Sequence, residues 1–252
     1  MRTVIITGAS SGLGQEFTRQ LLREFPDTEC VWLIARRKDR LEEAAKMQSA
    51  VQMELLALDL CDAASFAYIE EKLRLEHPNI TVLVNCAGCG YLGEVGEMPT
   101  ATQTRMVDLN LRALTALTNM AVPYMRKGAR IINVSSIASF CPNPRMTVYS
   151  SSKAYVSSFT LGVAEELRRR GITATAVCPG PMATEFLEVG GITGNSRMFQ
   201  NLPYCDQVKV VSGTLRAAKQ GRTFYTPRAF YKFYRLLAKA MPHELLVKFV
   251  KT

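Results

Sequence analysis

Short apolar runs alternate with longer stretches of helical periodicity along the chain, and no other feature narrows the possible folds as far. The runs are Val4–Thr7, Val31–Ala35, Met53–Leu58, Ile80–Val84, Ile131–Val134 and Thr173–Val177. Between them lie Leu13–Phe25, Ala63–Glu76, Thr102–Met125 and Val148–Arg170, each with helical spacing of its apolar residues. Several runs lack period-two alternation, as strands covered on both faces do. Repeated strand–helix alternation predicts an α/β fold, a doubly wound parallel sheet with right-handed crossovers. A chain of 252 residues, 48% of them hydrophobic, can cover both faces of such a sheet. No linker, repeat or low-complexity stretch divides it, so residues 1–252 read as one domain. No apolar run approaches the roughly twenty residues of a spanning helix. The opening Met1-Arg2-Thr3 leads into an apolar stretch too short for a signal peptide, so a cytoplasmic protein is expected.

The first run continues into Thr7-Gly8-Ala9-Ser10-Ser11-Gly12-Leu13-Gly14 and then a helical pattern. Glycine removes the Cβ that would hold a diphosphate away from the backbone, and it lets the chain turn sharply. The following helix presents unpaired N–H groups and the positive end of its dipole to an anion. The spacing is T-G-x-x-x-G-x-G rather than G-x-G-x-x-G. Three glycines alone would also suit an ordinary β–α turn, but their place after the first strand of a βαβ unit favours a dinucleotide. Gly8, Ser10, Ser11, Gly12, Leu13 and Gly14 are therefore the candidate phosphate loop.

The second run ends in Ala35-Arg36-Arg37-Lys38, where a doubly wound fold faces the adenosine ribose. An acid there would hold both ribose hydroxyls of NAD, whereas arginine pairs with the 2′-phosphate of NADP. No acid occurs before Asp39, so Arg36 and Arg37 point to NADP(H); a solvated basic loop is the alternative. Asp59, with Leu60 beside it, suits a contact to the adenine amino group, or else a helix N-cap near Asp62.

Tyr149-Ser150-Ser151-Ser152-Lys153 sets a phenol and an ammonium on one face of a helix. A free tyrosine has a pKa of ~10, and a neighbouring cation favours its phenolate. Lowering that pKa by ~3 units takes ~4 kcal/mol, within reach of Lys153 together with a cationic nicotinamide. Y-x-x-x-K alone recurs by chance. Here it is joined by Ser136, which closes the fifth run in Ile132-Asn133-Val134-Ser135-Ser136, and by Asn110 in Val107-Asp108-Leu109-Asn110. Asn85-Cys86-Ala87-Gly88 ends the fourth run, and Pro179-Gly180-Pro181-Met182-Ala183-Thr184 follows the sixth. Apart from Asn110, inside a helical segment, these face the carboxyl ends of strands, where open α/β sheets bind ligands. Taken singly, Ser136 and Asn110 would each read as a cap or turn residue.

In this order and spacing the sequence resembles the short-chain dehydrogenase/reductase family, from Arg2 to about Thr184. The resemblance implies a Rossmann fold and an NADP(H)-dependent oxidoreductase that interconverts a ketone and a secondary alcohol. It implies Tyr149 as general acid/base, and Lys153 as the residue that lowers its pKa and holds the nicotinamide ribose. Ser136 would hydrogen-bond the substrate oxygen, and Asn110 would position a water continuing the proton path from Lys153. Thr184 would bind the carboxamide, and Asn85, Ala87 and Gly88, with Pro179 and Gly180, would line the cofactor cleft. Cys86 stands where the family usually has a second asparagine. A homodimer or homotetramer is expected. From a different class, a non-catalytic NADP-binding sensor or scaffold would keep the same fold.

Past Thr184 those motifs end. Phe186, Leu187, Met198, Phe199, Leu202 and Tyr204 accompany Gly190, Gly191 and Gly194, so residues 185–204 are read as a substrate lid. With Tyr91, Phe140 and Met146 they suggest an apolar pocket for a small hydrophobic ketone or alcohol such as a steroid, bile acid or acyl derivative. The net charge of +9 resides in residues 207–252, where ten Lys/Arg face Glu244 alone. No nucleic-acid motif accompanies them, so no nucleic-acid partner is expected. Thr223–Thr226 is a candidate edge strand, and residues 227–252 read as a helical extension. In it Phe230, Phe233, Tyr234, Leu237 and Met241 share one sector, opposite Arg228, Lys232, Arg235 and Lys239. Such a helix packs on the body or a partner subunit, lies on a membrane surface, or caps the substrate. The seven cysteines are scattered, and the Cys86–Cys89 pair lacks the further ligands of a metal site, so no metal is expected.

Overall fold

The computed structural model describes residues 1–46, 51–192 and 197–250, without the side chains of Arg197 and Met198. Gly194 and the Met198 side chain, both assigned to the lid, lie outside the described residues. The strands are β1 (Arg2–Thr7), β2 (Cys30–Ala35), β3 (Gln52–Ala57), β4 (Asn79–Asn85), β5 (Met125–Val134), β6 (Thr173–Val177) and β7 (Phe224–Tyr225). They form one parallel sheet in the order β3-β2-β1-β4-β5-β6-β7. The direction of winding reverses between β1 and β4, and a crevice opens at such a reversal, outside the carboxyl ends of the strands. β7 realises the expected edge strand.

Alternating side chains of the strands feed two cores, one on each face. Val4 and Ile6 of β1 pack with Phe17 and Leu21 of α1 (Gly12–Glu24), Leu41 of α2 (Lys38–Lys46), and Val210 and Leu215 of α9 (Gln207–Lys219). Ile5 joins Trp32, Ile69 and Leu73 of α3 (Ala63–Glu76), Leu117 of α5 (Ala113–Ala121) and Val163 of α6 (Thr147–Glu166). With helices on both faces, every residue of β2 is buried, which is why that run shows no alternation.

The helical stretch expected over Thr102–Met125 is interrupted. α4 (Thr100–Val107) passes into a π-helical turn at Asp108–Arg112, then α5, then a 3-10 turn at Val122–Tyr124. Pro123 lies in that last turn, where its missing N–H ends the regular helix, and Met125 already belongs to β5. The remaining helices are α7 (Glu185–Val189), α8 (Arg197–Asn201), α10 (Ala229–Ala240) and α11 (His243–Leu246).

α10 is rotated from the expected orientation. Tyr231 and Ala238 point inward and Tyr234 is half-buried, whereas Phe230 and Phe233 face outward. Gly180 accounts for the rotation: a Cβ there would stand 2.3 Å from the Tyr231 ring, so only glycine lets the ring lie against this backbone. The Tyr231 hydroxyl then donates to the Pro203 carbonyl at 2.7 Å, and the Arg235 guanidinium lies 4.1 Å from the centre of the Phe224 ring.

Candidate active site

A cleft of about 380 Å³ lies at the carboxyl ends of β1, β4, β5 and β6. One end is built by the turn between β1 and α1. Gly8 and Gly12 there have φ of 67° and 50°, in the left-handed region that glycine tolerates. The turn also folds onto itself, since a Cβ on Gly14 would come 2.1 Å from the Gly8 carbonyl oxygen. Gly14 thus does not line the cleft but sets the shape of the loop that does. Thr7 fixes this loop to the end of β4, its Oγ1 accepting from the N–H groups of Cys86 and Ala87 at 3.0 Å each. Ser11 enters α1 in an extended conformation and makes no side-chain cap, which leaves first-turn N–H groups for an anion. The lining here comprises Gly8, Ser10, Ser11, Gly12 and Leu13, a cradle that fits a dinucleotide diphosphate.

Beside the cradle, Arg36 and Arg37 stand at the rim with Asp59 and Leu60 behind them. Arg36 is exposed and has no ion pair among the described residues. Arg37 Nη2 pairs with the Glu185 carboxylate at 2.8 Å, which ties the rim to the start of α7. Asp59 accepts from the Cys61 N–H and pairs with Arg105 at 2.9 Å. Burial raises its pKa, but the Arg105 hydrogen bond and the surrounding cations outweigh this, holding the carboxyl below its usual range. The helix cap beside it is Asp62, whose side chain accepts from the Ala64 N–H. Arg105 lines the cleft and was not singled out from the sequence; its partner is distant along the chain.

The opposite end gathers Ser136, Tyr149 and Lys153. Ser136 lies two residues past β5 in an extended conformation; its Oγ accepts from the Ala138 N–H and faces the Tyr149 phenol, whose pKa it lowers. Tyr149 and Lys153 rise from the first turns of α6, with Nζ 5.7 Å from the ring centre and donating to the Val134 carbonyl at 2.9 Å. Burial pushes the phenol up to about 12, against the lowering effect of Ser136. Burial likewise pulls the ammonium of Lys153 down to about 8. Thr184, Ala87, Gly88, Pro179 and Gly180 complete the walls between the two ends.

Two expected cleft residues stand behind the wall. Asn85 Nδ2 donates to Thr118 Oγ1 and Asn133 Oδ1, so the side chain bridges β4 to its neighbours rather than facing the cleft. Asn110, in the π-helical turn, accepts from the Cys89 N–H and donates to the Cys89 carbonyl and to Ser152 Oγ. Its amide is used to pin the segment after β4 against α6. π-helical turns recur at functional sites, and this one places Asn110 within reach of Gly88 and Lys153. Cys86 and Cys89 are half-buried in the cleft wall, and desolvation pushes their thiols up to about 12 and about 11.

Beyond Tyr149 the cleft is apolar, walled by Tyr91, Met146, Phe186, Leu187, Phe199 and Leu202. The Phe186 and Tyr149 rings lie 5.6 Å apart. Two residues expected here are elsewhere: Phe140 packs on Tyr234 beneath α10, and Tyr204 is exposed. Tyr234 and Val250, from the C-terminal segment, reach the cleft instead. A proton donor, a hydroxyl and a buried amine thus meet at an apolar end, with an anion cradle at the other.

The sequence profile of the family described as short chain dehydrogenase matches residues 2–190. Sulfoacetaldehyde reductase 2 of Chromohalobacter salexigens is 32% identical over 209 residues, 81% of each chain. A short-chain dehydrogenase from Sphingobium yanoikuyae, solved in complex with NADPH, superposes with a TM-score of 0.82 at 28% identity, covering 95% of this chain and 93% of that one. The bulky-bulky ketone specific alcohol dehydrogenase from Comamonas testosteroni gives a TM-score of 0.77 at 26% identity, covering 95% and 92%.

Proposed function

The chain belongs to the short-chain dehydrogenase family, and from that premise we propose that it is an NADP(H)-dependent oxidoreductase interconverting a bulky apolar ketone and its secondary alcohol. One observation carries the reading: Tyr149, Ser136 and Lys153 meet at the apolar end of a cleft whose other end is a glycine cradle rimmed by Arg36 and Arg37. A dinucleotide held along this cleft supplies or accepts the hydride. Ser136 Oγ holds the substrate oxygen, and Tyr149 donates the proton to it in the direction of reduction. A phenol held near 12 is protonated at neutral pH, as that role requires. Lys153, when charged, favours the phenolate left behind. Phe186 and Leu187 keep water from the reacting atoms.

Support for NADP(H) comes from the unpaired Arg36 at the rim and from the related Sphingobium yanoikuyae enzyme, which was solved with NADPH. Support for a hydrophobic substrate, of steroid, bile-acid or acyl type, comes from the aromatic and aliphatic lining and from the related bulky-ketone enzyme. The segment 185–204 serves as the lid over that substrate, fastened at its start by Glu185 to Arg37. Arg36→Asp is expected to lower kcat/KM for NADPH by roughly ten- to a hundredfold, the worth of a hydrogen bond to a charged group. NADH use should rise relative to it; a wild type that already uses NADH at least as well as NADPH overturns the assignment. The whole reading is tested by NADPH absorbance on a panel spanning bulky apolar ketones and small polar aldehydes. Turnover confined to the polar aldehydes rejects the substrate class. NADPH binding without turnover on any carbonyl rejects the enzyme.

A further inference from the structure

The outward face of α10 is apolar in a way that the fold does not use. Phe230 is 53% exposed and Phe233 and Leu236 are 67% exposed, on a stripe that Ala229 and Ala240 continue. Phe249, just past α11, is 82% exposed and Leu245 48%. Phe230, Phe233 and Leu236, large apolar side chains gathered on one helix face, mark a site of contact with something else. Lys232 and Lys239, two helical turns apart, border one edge of the stripe, and Lys248 adjoins Phe249; all three are exposed.

Charge decides what covers this face. α10 contains no acid, and Glu244 is the only one in residues 207–252. A second copy of the chain meeting the same face across a two-fold axis would set Lys232 and Lys239 against their own counterparts, with no acid in the helix to pair with them. An anionic lipid surface takes both parts of the face at once, apolar side chains below the headgroups and ammonium groups among them. Among the described residues no helix is long and apolar enough to cross a membrane, so the contact is peripheral.

We propose that the exposed face of α10 docks on the surface of an anionic membrane. Tyr234, on the opposite side of this helix, lines the cleft, so a docked α10 would lie between that cleft wall and the lipid.

The test is co-sedimentation of the full chain with vesicles of phosphatidylcholine alone and of phosphatidylcholine with an equal amount of phosphatidylglycerol. The wild type is expected to pellet with the second and remain in solution with the first. The pair Lys232→Glu and Lys239→Glu should lower partitioning by roughly thirtyfold or more, from two lysines each contributing at a charged surface. The pair Phe233→Ser and Leu236→Ser should also release the protein from the anionic vesicles. These side chains are exposed, so unfolding temperature and any NADPH turnover on a soluble ketone should stay at wild-type values; if the serine pair unfolds, the lysine pair decides. A wild type that stays in solution with both vesicles overturns the proposal, as does equal binding to both. So does a dimer in sedimentation equilibrium that the serine pair dissociates, since the face would then belong to a second copy. None of these outcomes depends on catalysis, so failure of docking and failure of the enzyme reading are separately visible.

Discussion

Tyr149→Phe is expected to lower kcat by roughly 10²- to 10⁴-fold, the contribution of a positioned general acid, with dinucleotide affinity close to wild type. The substitution removes one oxygen and nothing else. The ring stays where it is, 8% exposed and packed against Phe186 with 5.6 Å between ring centres. The cradle of Gly8, Ser10, Ser11 and Gly12 lies at the other end of the cleft and makes no use of the phenol. Ser136 keeps its bond from the Ala138 N–H, so its rotamer is held when the neighbouring phenol is gone. The loss should therefore fall on kcat, with the Kd for NADPH moved little, and a fluorescence titration beside steady-state kinetics separates the two. Retention of a tenth or more of the wild-type kcat, on the order of 1.4 kcal/mol in barrier, would show that the proton comes from another donor.

The architecture was legible in the sequence because burial on both faces writes itself as continuous apolar runs. Val31–Ala35 is such a run, and all of β2 is buried. Strand ends were less legible, since ladder pairing does not depend on side-chain polarity. Arg2 pairs with Asn79 at the open end of β1 although it is exposed. β5 begins at Met125, well before its apolar run, because the register between β4 and β5 shifts from Met125 opposite Ile80 to Arg130 opposite Val82. A polar irregularity of that kind has no periodicity to read.

The same distinction separates the site residues. Motif spacing placed Tyr149, Lys153, Ser136 and the glycine loop at one cleft because strand ends converge there. It could not tell which way an asparagine turns. Asn85 spends its amide on Thr118 and Asn133, and Asn110 spends its own on Cys89 and Ser152. Arg105 carried no signal at all, since nothing local connects a cation on α4 to Asp59. The orientation of α10 was likewise set from a distance. A helical wheel ranks Phe230 and Phe233 as core residues, but the space opened by Gly180 draws in Tyr231 instead.

Lys153→Met is expected to abolish turnover and yet make the folded protein more stable at neutral pH. Lys153 is 5% exposed, and burial lowers its pKa from an ordinary 10.5 to about 8. Below pH 8 the lysine is charged in both folded and unfolded states, and the folded state carries the full cost of burying that charge, about 3 kcal/mol. Methionine is unbranched and of similar length, so it fills the space without the charge. Against this gain stands the lost bond from Nζ to the Val134 carbonyl, which leaves an acceptor unpaired at a cost of roughly 1–3 kcal/mol. The expected net gain at pH 7 is about 1 kcal/mol. Its pH dependence is the sharper signature. Between pH 8 and pH 10.5 the unfolded chain binds a proton at this lysine that the folded chain has released, so wild-type stability rises with pH. The substituted protein lacks that titration, and its advantage should shrink across the window and reverse before pH 10.5, where only the lost hydrogen bond remains. Urea unfolding of both proteins at pH 7, 8.5 and 10, without dinucleotide, measures the difference directly. A difference independent of pH across this range would mean that Lys153 is not charged at a cost in the fold. Its place beside Tyr149 would then reflect packing, and the stabilisation of a phenolate would have to come from elsewhere.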